Sequence, residues 1–234
     1  MWNGKNKALT FSFDDGVLQD IRAIEILDKY NLKATFNINS GLLGEKSALT
    51  CFVPPVNHTK VSPKDVREVY KNHEVAVHTK THPLLTALSD DKVIDQVEND
   101  RQILSSLCGY EVVGMAYPCG ANNNDDRVAE LIKNNTGVKY ARTIISTDNY
   151  DLQDNLYRFN PSVYYVNRVK LFEMGKKFLE LKTDKPQLLY IWGHTYEMDS
   201  VIPSYLKWDE FEEFCKMISG KEDIFYGTNK EILL

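Results

Sequence analysis

Segments with strand character alternate with segments of helical spacing along almost the whole chain of 234 residues. The predicted strands are short runs of apolar and β-favouring residues at 8–13, 34–38, 74–78, 112–117, 138–144, 187–192 and 223–226. The predicted helices cover 18–30, 62–72, 89–107, 125–135, 167–181 and 208–218. Repeated strand–helix units favour a parallel sheet covered by helices. We therefore predict an α/β fold, a distorted (β/α) barrel of about seven parallel strands.

Length and composition favour a single domain and argue against two classes of partner. A chain of this length fits a single domain over residues 1–234, because α/β barrels of this size commonly fold as one unit. The formal net charge of −5 and the lack of a dense Lys/Arg run argue against nucleic acid as a partner. No stretch approaches the roughly 20 apolar residues that a membrane span needs. We predict neither nucleic acid nor membrane as a partner, and the oligomeric state stays open.

The cysteines and the N-terminus bear on the compartment. Cys51, Cys108, Cys119 and Cys215 form no CxxC pair and no regular framework, so free thiols in a reducing compartment are expected. The first residues lack the apolar region of a signal peptide. We therefore expect a cytoplasmic protein. If an export signal once preceded these residues and was removed, the protein would instead be secreted or lie at the cell surface.

Polar clusters come directly after four of the predicted strands. They are Asp14-Asp15, His78, the turn at 118–120 and His194. The carboxyl ends of parallel strands lie on one face of a barrel, which is where such folds build their active sites. The alternation of strands and helices thus predicts that these clusters meet in one site.

The first cluster is the run Thr-Phe-Ser-Phe-Asp-Asp-Gly at 10–16. Two adjacent carboxylates repel each other, and a bound cation removes that cost. Gly16 supplies the turn that lets Asp14 and Asp15 lie where the strand breaks. Taken alone, this motif is more typical of an ordinary turn or helix start.

The second cluster is Val-His-Thr-Lys-Thr-His-Pro at 77–83. We predict that His78 and His82, four residues apart, lie on one side of a helical turn that Pro83 ends. Both imidazoles could then reach one metal ion. With Asp15 they would form a three-ligand set that leaves positions open for water and substrate, as a hydrolytic metal needs.

The third cluster is the Pro-Cys-Gly turn at 118–120. A backbone N–H exposed at such a turn can stabilise an oxyanion. An ordinary turn at the end of a strand remains the alternative, and the motif alone favours it.

The fourth cluster contains His194 at the end of an apolar strand, where its ring should project from the rim of the barrel. An imidazole with an unperturbed pKa near 6.5 suits a proton donor to a leaving amine. Trp192 and Tyr196 could form an apolar wall for sugar rings, or they could be core aromatics, which is the commoner case.

Taken together, these motifs resemble the polysaccharide deacetylase family, also called carbohydrate esterase family 4 or the nodulation-factor deacetylase homology domain. The match in type, spacing and order lies in residues 13–16 and 78–82, and the resemblance extends from about residue 9 to residue 194. It implies a distorted barrel and a hydrolase that removes N-acetyl groups from an N-acetylglucosamine-type glycan. It also implies a divalent metal held by Asp15, His78 and His82. Zinc is favoured, with Co²⁺, Mn²⁺ or Ni²⁺ as possible substitutes.

The resemblance also implies roles for three further positions. Asp14 would be the general base that activates water. The backbone N–H of Cys119 would receive the oxyanion, and His194 would be the general acid that protonates the departing nitrogen.

This chain departs from the family pattern at two points. The family commonly has an Arg that orients the base at the start of the third motif, and here that position is Ala116. The acidic partner of the general acid is also not evident. Its candidates are Asp148, Asp151 and Glu197, and we favour Asp148 from the sequence.

Other functions are compatible with the same motifs. An O-acetyl esterase acting on a xylan-like polymer would use the same site, because both reactions pass through a tetrahedral oxyanion. A non-carbohydrate amidohydrolase is a third reading. A non-catalytic glycan-binding relative is favoured by the missing Arg, whereas the retained Asp14 and His194 argue against it, since binding alone requires neither a base nor an acid.

Overall fold

One parallel sheet, centred on the first strand, forms the framework of the protein. The computed structural model describes residues 1–120 and 122–234. The strands are β1 (Lys7–Asp14), β2 (Ala34–Ile38), β3 (Ala48–Leu49), β4 (Val56–Asn57), β5 (Glu74–Val77), β6 (Gly114–Ala116), β7 (Tyr140–Arg142), β8 (Val163–Tyr164), β9 (Gln187–Gly193) and β10 (Ile224–Tyr226). Seven of them lie in the order β7-β6-β5-β2-β1-β9-β8, while β10 pairs with the first part of β1, and β3 and β4 form a separate two-stranded sheet.

Helices lie between most of these strands along the chain. They are α1 (Gln19–Lys29), α2 (Val66–Val69), α3 (Asp90–Ile94), α4 (Asp100–Cys108), α5 (Asp126–Asn135), α6 (Arg168–Glu180), α7 (Trp208–Ile218) and α8 (Asn229–Leu233). A π-helical stretch, Asp95–Asn99, joins α3 and α4 into one continuous helix.

The alternation of side chains along β1 separates a core from a polar barrel interior. Phe11 and Phe13 are buried against Phe211 of α7, with ring centroids 5.9 and 6.0 Å apart. Burying each such ring stabilises the fold by roughly 1.5–3 kcal/mol. Ser12 points the other way and accepts a hydrogen bond of 2.8 Å from the Asn37 side chain on β2. The inward residues of β1 therefore lead directly to Asp14 at its carboxyl end.

The structure confirms the predicted α/β barrel as a single domain with a curled, half-barrel sheet. Among the described residues, an isolated parallel bridge between Arg142 and Phe159 joins β7 to the segment that precedes β8. The helix predicted at 62–72 is a 3-10 turn, Pro63–Asp65, followed by one short α-helical turn. The prediction missed β3, β4, β8 and α8, because two-residue strands and an isolated five-residue helix show no usable periodicity.

Two expectations drawn from composition can be compared with the structure. The four cysteines are free, with Cys108 and Cys215 buried and Cys51 exposed. Within residues 1–120 and 122–234, no helix has both the length and the apolar character required to cross a membrane.

Candidate functional site

A cavity of about 260 Å³ opens at the carboxyl ends of the parallel strands. Its lining brings together the polar clusters that follow β1, β5, β6 and β9, as the alternation predicted. The residues that line it are Asp14, Asp15, His78, His82, Tyr117, Cys119, Gly120, Ile144, Trp192, His194 and Tyr196. A larger cavity of about 470 Å³ lies by the amino end of β1, but no histidine is found among its described lining residues. The cavity at the carboxyl ends of the strands gathers the predicted site residues and is therefore the candidate site.

Three side chains at one edge of this cavity are arranged to hold a metal ion. The ligand atoms of Asp15, His78 and His82 all lie within 4.8 Å of one another. Asp15 Oδ1 is 3.8 Å from His78 Nε2 and 3.6 Å from His82 Nε2. Burial lowers the pKa of His78 to about 4 and also lowers that of His82, so both imidazoles are neutral as metal binding requires. One carboxylate and two neutral imidazoles fit a catalytic zinc site, which takes three protein ligands and keeps a position open.

The two histidines are brought together by a turn and not by a helix, so the predicted helical turn was wrong. Thr79 and His82 have φ angles of +66° and +59°, in the left-handed region. The Thr79 hydroxyl accepts a hydrogen bond of 3.1 Å from the His82 backbone N–H, which closes the turn. The ring of His78 is fixed by a contact of 2.9 Å between its Nδ1 and the carbonyl oxygen of Ala116.

The backbone at Asp15 also adopts a left-handed conformation, with φ of +83°. This conformation ends β1 and turns the Asp15 side chain away from that of Asp14. Its N–H donates to the carbonyl oxygen of Asn37 at 2.9 Å, and its own carbonyl accepts a 2.8 Å hydrogen bond from Lys60 Nζ. A left-handed conformation costs a non-glycine residue of order 1–3 kcal/mol, so these bonds stabilise the geometry of the site.

Asp14 lies deeper in the barrel and forms an ion pair with Arg142, which is fully buried at the end of β7. The Asn37 side chain donates to Asp14 Oδ1 at 2.8 Å. Burial alone would raise the pKa of Asp14, but Arg142, together with His78 and His194, outweighs it, and the carboxyl pKa falls below its usual value. Asp14 is thus held ionised and in one orientation.

Arg142 supplies a guanidinium beside Asp14, although the position where the family pattern has an Arg is Ala116 in this chain. In the register of the parallel pair β6 and β7, Ala116 lies directly beside Arg142. In-register neighbours point to the same face of a sheet. The guanidinium therefore enters the barrel from the adjacent strand and reaches the carboxylate that an Arg at position 116 would orient.

His194 lies across the cavity, at the start of the turn that follows β9. Its Nδ1 is 3.3 Å from Glu197 Oε1, and its backbone N–H donates to Glu197 Oε2 at 3.1 Å. Burial acts to lower the pKa of His194, but the Glu197 carboxylate, together with Asp15 and Asp14, outweighs this effect and raises the pKa to about 9. Tyr164 donates a hydrogen bond to Glu197 and holds it in place.

The acidic residue favoured from the sequence lies elsewhere. Asp148 is half exposed and pairs with Lys170 Nζ at 2.6 Å. Asp151 is exposed and bonds to the Gln187 side chain. The preference for Asp148 is corrected to Glu197, the third of the three candidates, because its carboxylate touches the imidazole.

The two aromatic candidates have different surroundings. Trp192 is buried and stacks between Tyr164, at a centroid distance of 4.4 Å, and the Arg142 guanidinium, 4.7 Å from its ring. It therefore acts mainly as packing behind Arg142. Tyr196 contacts the rings of His194 and His58 at 5.1 and 5.0 Å and lies closer to the metal-binding edge.

Cys119 follows β6 at the rim of the cavity, with φ of +69°. Its Sγ lies 3.7 Å from His82 Nδ1 and 3.5 Å from the carbonyl oxygen of His82. The predicted oxyanion turn is therefore next to the metal-binding edge. The role of its backbone N–H stays a prediction.

The sequence reasoning missed two basic groups at the site, His58 and Lys60. His58 Nε2 is 3.1 Å from Asp15 Oδ2, and Lys60 Nζ is 3.7 Å from Asp15 Oδ1. Although burial opposes it, these contacts hold the pKa of Asp15 well below its usual range. Both carboxylates thus have protein cations beside them, which corrects the argument that a bound ion must offset their repulsion. No local signal marks these residues, because they lie in an irregular segment more than 40 residues from Asp15.

Comparison with known proteins places the chain in a family. The model of the polysaccharide deacetylase family matches residues 3–141, more than half of the chain. The chain therefore belongs to the polysaccharide deacetylase family. It is 28% identical over 129 residues to the peptidoglycan-N-acetylglucosamine deacetylase PgdA of Listeria monocytogenes, a match that covers 54% of this chain. The matched region is 24% of the length of PgdA, so the chain corresponds to only part of that protein.

Solved structures share the fold over nearly the whole chain. A family 4 carbohydrate esterase from Streptomyces lividans, in complex with acetate, aligns with a TM-score of 0.60 at 14% identity and covers 96% of this chain and 93% of its own. A CE4 family pseudoenzyme from Bacillus anthracis, BA3943, aligns with a TM-score of 0.57 at 16% identity, over 98% of this chain and 66% of its own. At these identities the likeness concerns the fold alone.

Proposed function

We propose that this protein is a metal-dependent hydrolase that removes N-acetyl groups from an N-acetylglucosamine-type glycan. The observation that carries the proposal is the convergence of Asp15, His78 and His82 at one edge of a cavity that also holds Asp14 and His194. Family membership and the similarity to PgdA support the substrate class. We further propose that residues 1–234 act as one catalytic domain.

The metal site belongs to this proposal. Asp15, His78 and His82 would hold the ion, with zinc favoured by the nitrogen-rich donor set and Co²⁺, Mn²⁺ or Ni²⁺ as substitutes. When bound, such an ion supplies a lowered pKa for water and polarises an amide carbonyl. The remaining chemistry depends on the side chains around it.

Asp14 would be the general base. Arg142 and Asn37 fix its carboxylate and keep it ionised, so that it can take a proton from the attacking water. A positioned general base typically contributes about 10²–10⁴-fold to the rate. The Cys119 N–H would stabilise the oxyanion as a hydrogen-bond donor.

His194 would be the general acid. Glu197 stabilises the imidazolium, so His194 enters the reaction carrying the proton that a leaving amine needs. An amine leaves poorly without a proton, and this arrangement favours an amide as the substrate. The neighbours of Asp14 thus lower its pKa and those of His194 raise its pKa, and such opposite shifts are typical of paired acid–base sites.

The experiment measures hydrolysis of three substrates in parallel by zinc-loaded protein, as released acetate for the first two and as ring opening for the third. These are N-acetylglucosamine oligomers, acetylated xylan and a small cyclic amide, with Asp14→Asn as the matched inactive control. We expect acetate from the oligomers and much less from xylan. Release from xylan alone would favour an O-acetyl esterase, and opening of the cyclic amide alone would favour a non-carbohydrate amidohydrolase. Metal binding without turnover on any substrate would favour a non-catalytic glycan-binding protein.

A further inference from the structure

The segment from residue 45 to residue 61 crosses the turn that carries the two carboxylates. Within it, β3 and β4 pair as a short antiparallel ribbon. The N–H of Val61 donates to the carbonyl oxygen of Gly16, and the N–H of Leu18 donates to that of Thr59, both at 2.9 Å. Val17 and Lys60 form an antiparallel bridge. These backbone bonds fix the segment, which we call the crossing segment, against the turn that follows Asp15.

The crossing segment brings a third histidine to the metal-binding edge. His58 Nε2 lies 3.1 Å from Asp15 Oδ2, whereas it is Oδ1 that faces His78 and His82. The two oxygens of Asp15 therefore have separate partners. Among the described residues, the cluster with metal-binding spacing consists of Asp15, His78 and His82, and His58 is not part of it.

The His58 ring is held in place on several sides. Its side chain is only 15% exposed. The ring edge packs against Tyr196 at a centroid distance of 5.0 Å and an interplanar angle of 82°. Nδ1 lies 3.5 Å from the Ser47 hydroxyl, and the His58 N–H donates to the carbonyl oxygen of Ser47 at 2.9 Å. The orientation of the ring is therefore set before any ligand arrives.

We propose that His58 is a positioning residue for the metal ligand Asp15. Its Nε2–H donates to Oδ2, which would leave Oδ1, the oxygen that faces His78 and His82, as the one that binds an ion. Carboxylate ligands are commonly oriented by hydrogen bonds of this kind, and the loss of such a partner typically lowers metal affinity about 10–100-fold. Lys60 supports the same residue from the other side, through its bond to the Asp15 carbonyl. This inference rests on the proposed metal-dependent function.

The test compares zinc affinity in four proteins by competition with a chromophoric chelator. They are the wild type, His58→Ala, His58→Gln and, as a control on the crossing segment, Cys51→Ser, which changes an exposed side chain. We expect His58→Ala to bind zinc about 10–100-fold more weakly than the wild type. His58→Gln, which keeps an N–H donor, should recover part of the loss, and Cys51→Ser should match the wild type.

A cobalt spectrum separates positioning from direct ligation. If His58 only orients Asp15, the visible absorption intensity of the cobalt-saturated His58→Ala protein stays that of the wild type. A changed intensity would show an altered ligand set and overturn the proposal. Equal zinc affinity in wild type and His58→Ala would also overturn it.

Failure of the proposed function would look different. In that case the wild type would bind zinc and His58→Ala would bind it more weakly, yet neither protein would release acetate from any substrate. The positioning role would then stand while the proposed reaction would not.

Discussion

The base side and the acid side of the cavity are built in opposite ways. On the base side, a buried cation, Arg142, lies against Asp14 and lowers its pKa. On the acid side, a buried carboxylate, Glu197, lies against His194 and raises its pKa to about 9. One residue is kept ready to accept a proton, the other to give one.

The two sides also differ in the distance along the chain between partners. Asp14 and Arg142 are 128 residues apart and meet only because β1 and β7 belong to one curled sheet. His194 and Glu197 are three residues apart and meet within one turn. The base therefore depends on the whole barrel, whereas the acid depends on a local turn.

The largest expected effect is on the base itself. We expect Asp14→Asn to lower kcat by about 10²–10⁴-fold, because the amide cannot accept the proton. Zinc content should stay at the wild-type value, since the ligand set is intact. Kinetics on N-acetylglucosamine oligomers and metal analysis of the same sample check this, and a wild-type rate would end the assignment of Asp14 as base.

Moving the guanidinium from position 142 on β7 to position 116 on β6 tests whether Asp14 depends on its contact with the far strand of the sheet. Arg142→Ala leaves Asp14 buried without its counter-charge, which typically costs about 3–5 kcal/mol of unfolding free energy. We expect the double variant Ala116→Arg/Arg142→Ala to recover part of both stability and activity, because the two positions are in register. Urea unfolding and initial rates measure this. No recovery in the double variant would mean that the role depends on β7 itself.

The acid side is anchored to α1 by Asp20, which accepts hydrogen bonds from Thr195 at 2.6 Å and Tyr70 at 2.8 Å. Burial raises the pKa of Asp20 to about 7. A carboxyl whose folded pKa is raised contributes stability at low pH that is lost as the pH rises towards the folded value. Relative to Asp20→Asn, the wild type should lose about 2 kcal/mol between pH 5 and pH 7, because the loss of roughly 1.4 kcal/mol per unit diminishes as the pH approaches the folded pKa. Urea unfolding at both pH values measures this loss, and a pH-independent difference would contradict it.

The smallest effect distinguishes Glu197 from Asp148, the partner of His194 that the sequence favoured. Glu197→Gln removes the charge that keeps His194 protonated, so the pKa of His194 falls. Because the acid works only when protonated, the alkaline limb of the kcat profile should move to lower pH. At a pH above the His194 pKa of both the wild type and the variant, each unit by which that pKa falls lowers the protonated fraction of His194 about tenfold. Asp148→Asn, the matched control, should leave the limb in place, and a shift in that variant instead would restore Asp148 as the partner.

The same contrast between local and distant partners explains which parts of the fold and the site could be predicted from the sequence. The strand–helix alternation predicted the barrel, and the strand-end positions of Asp14, Asp15, His78 and His194 predicted that they would meet. Glu197 was among the candidates because its partner is local. Arg142 was missed because no spacing rule links β1 to β7, and His58 because irregular segments carry no periodicity. Where partners meet through the sheet or a loop, only the three-dimensional structure shows the contact.

Zinc stoichiometry of the purified protein is the sharpest test of the metal site formed by Asp15, His78 and His82. We expect one zinc per chain in the wild type and almost none in Asp15→Ala or His78→Ala, measured after equilibration with excess zinc and removal of free ions. A full equivalent of zinc in either variant would contradict this assignment.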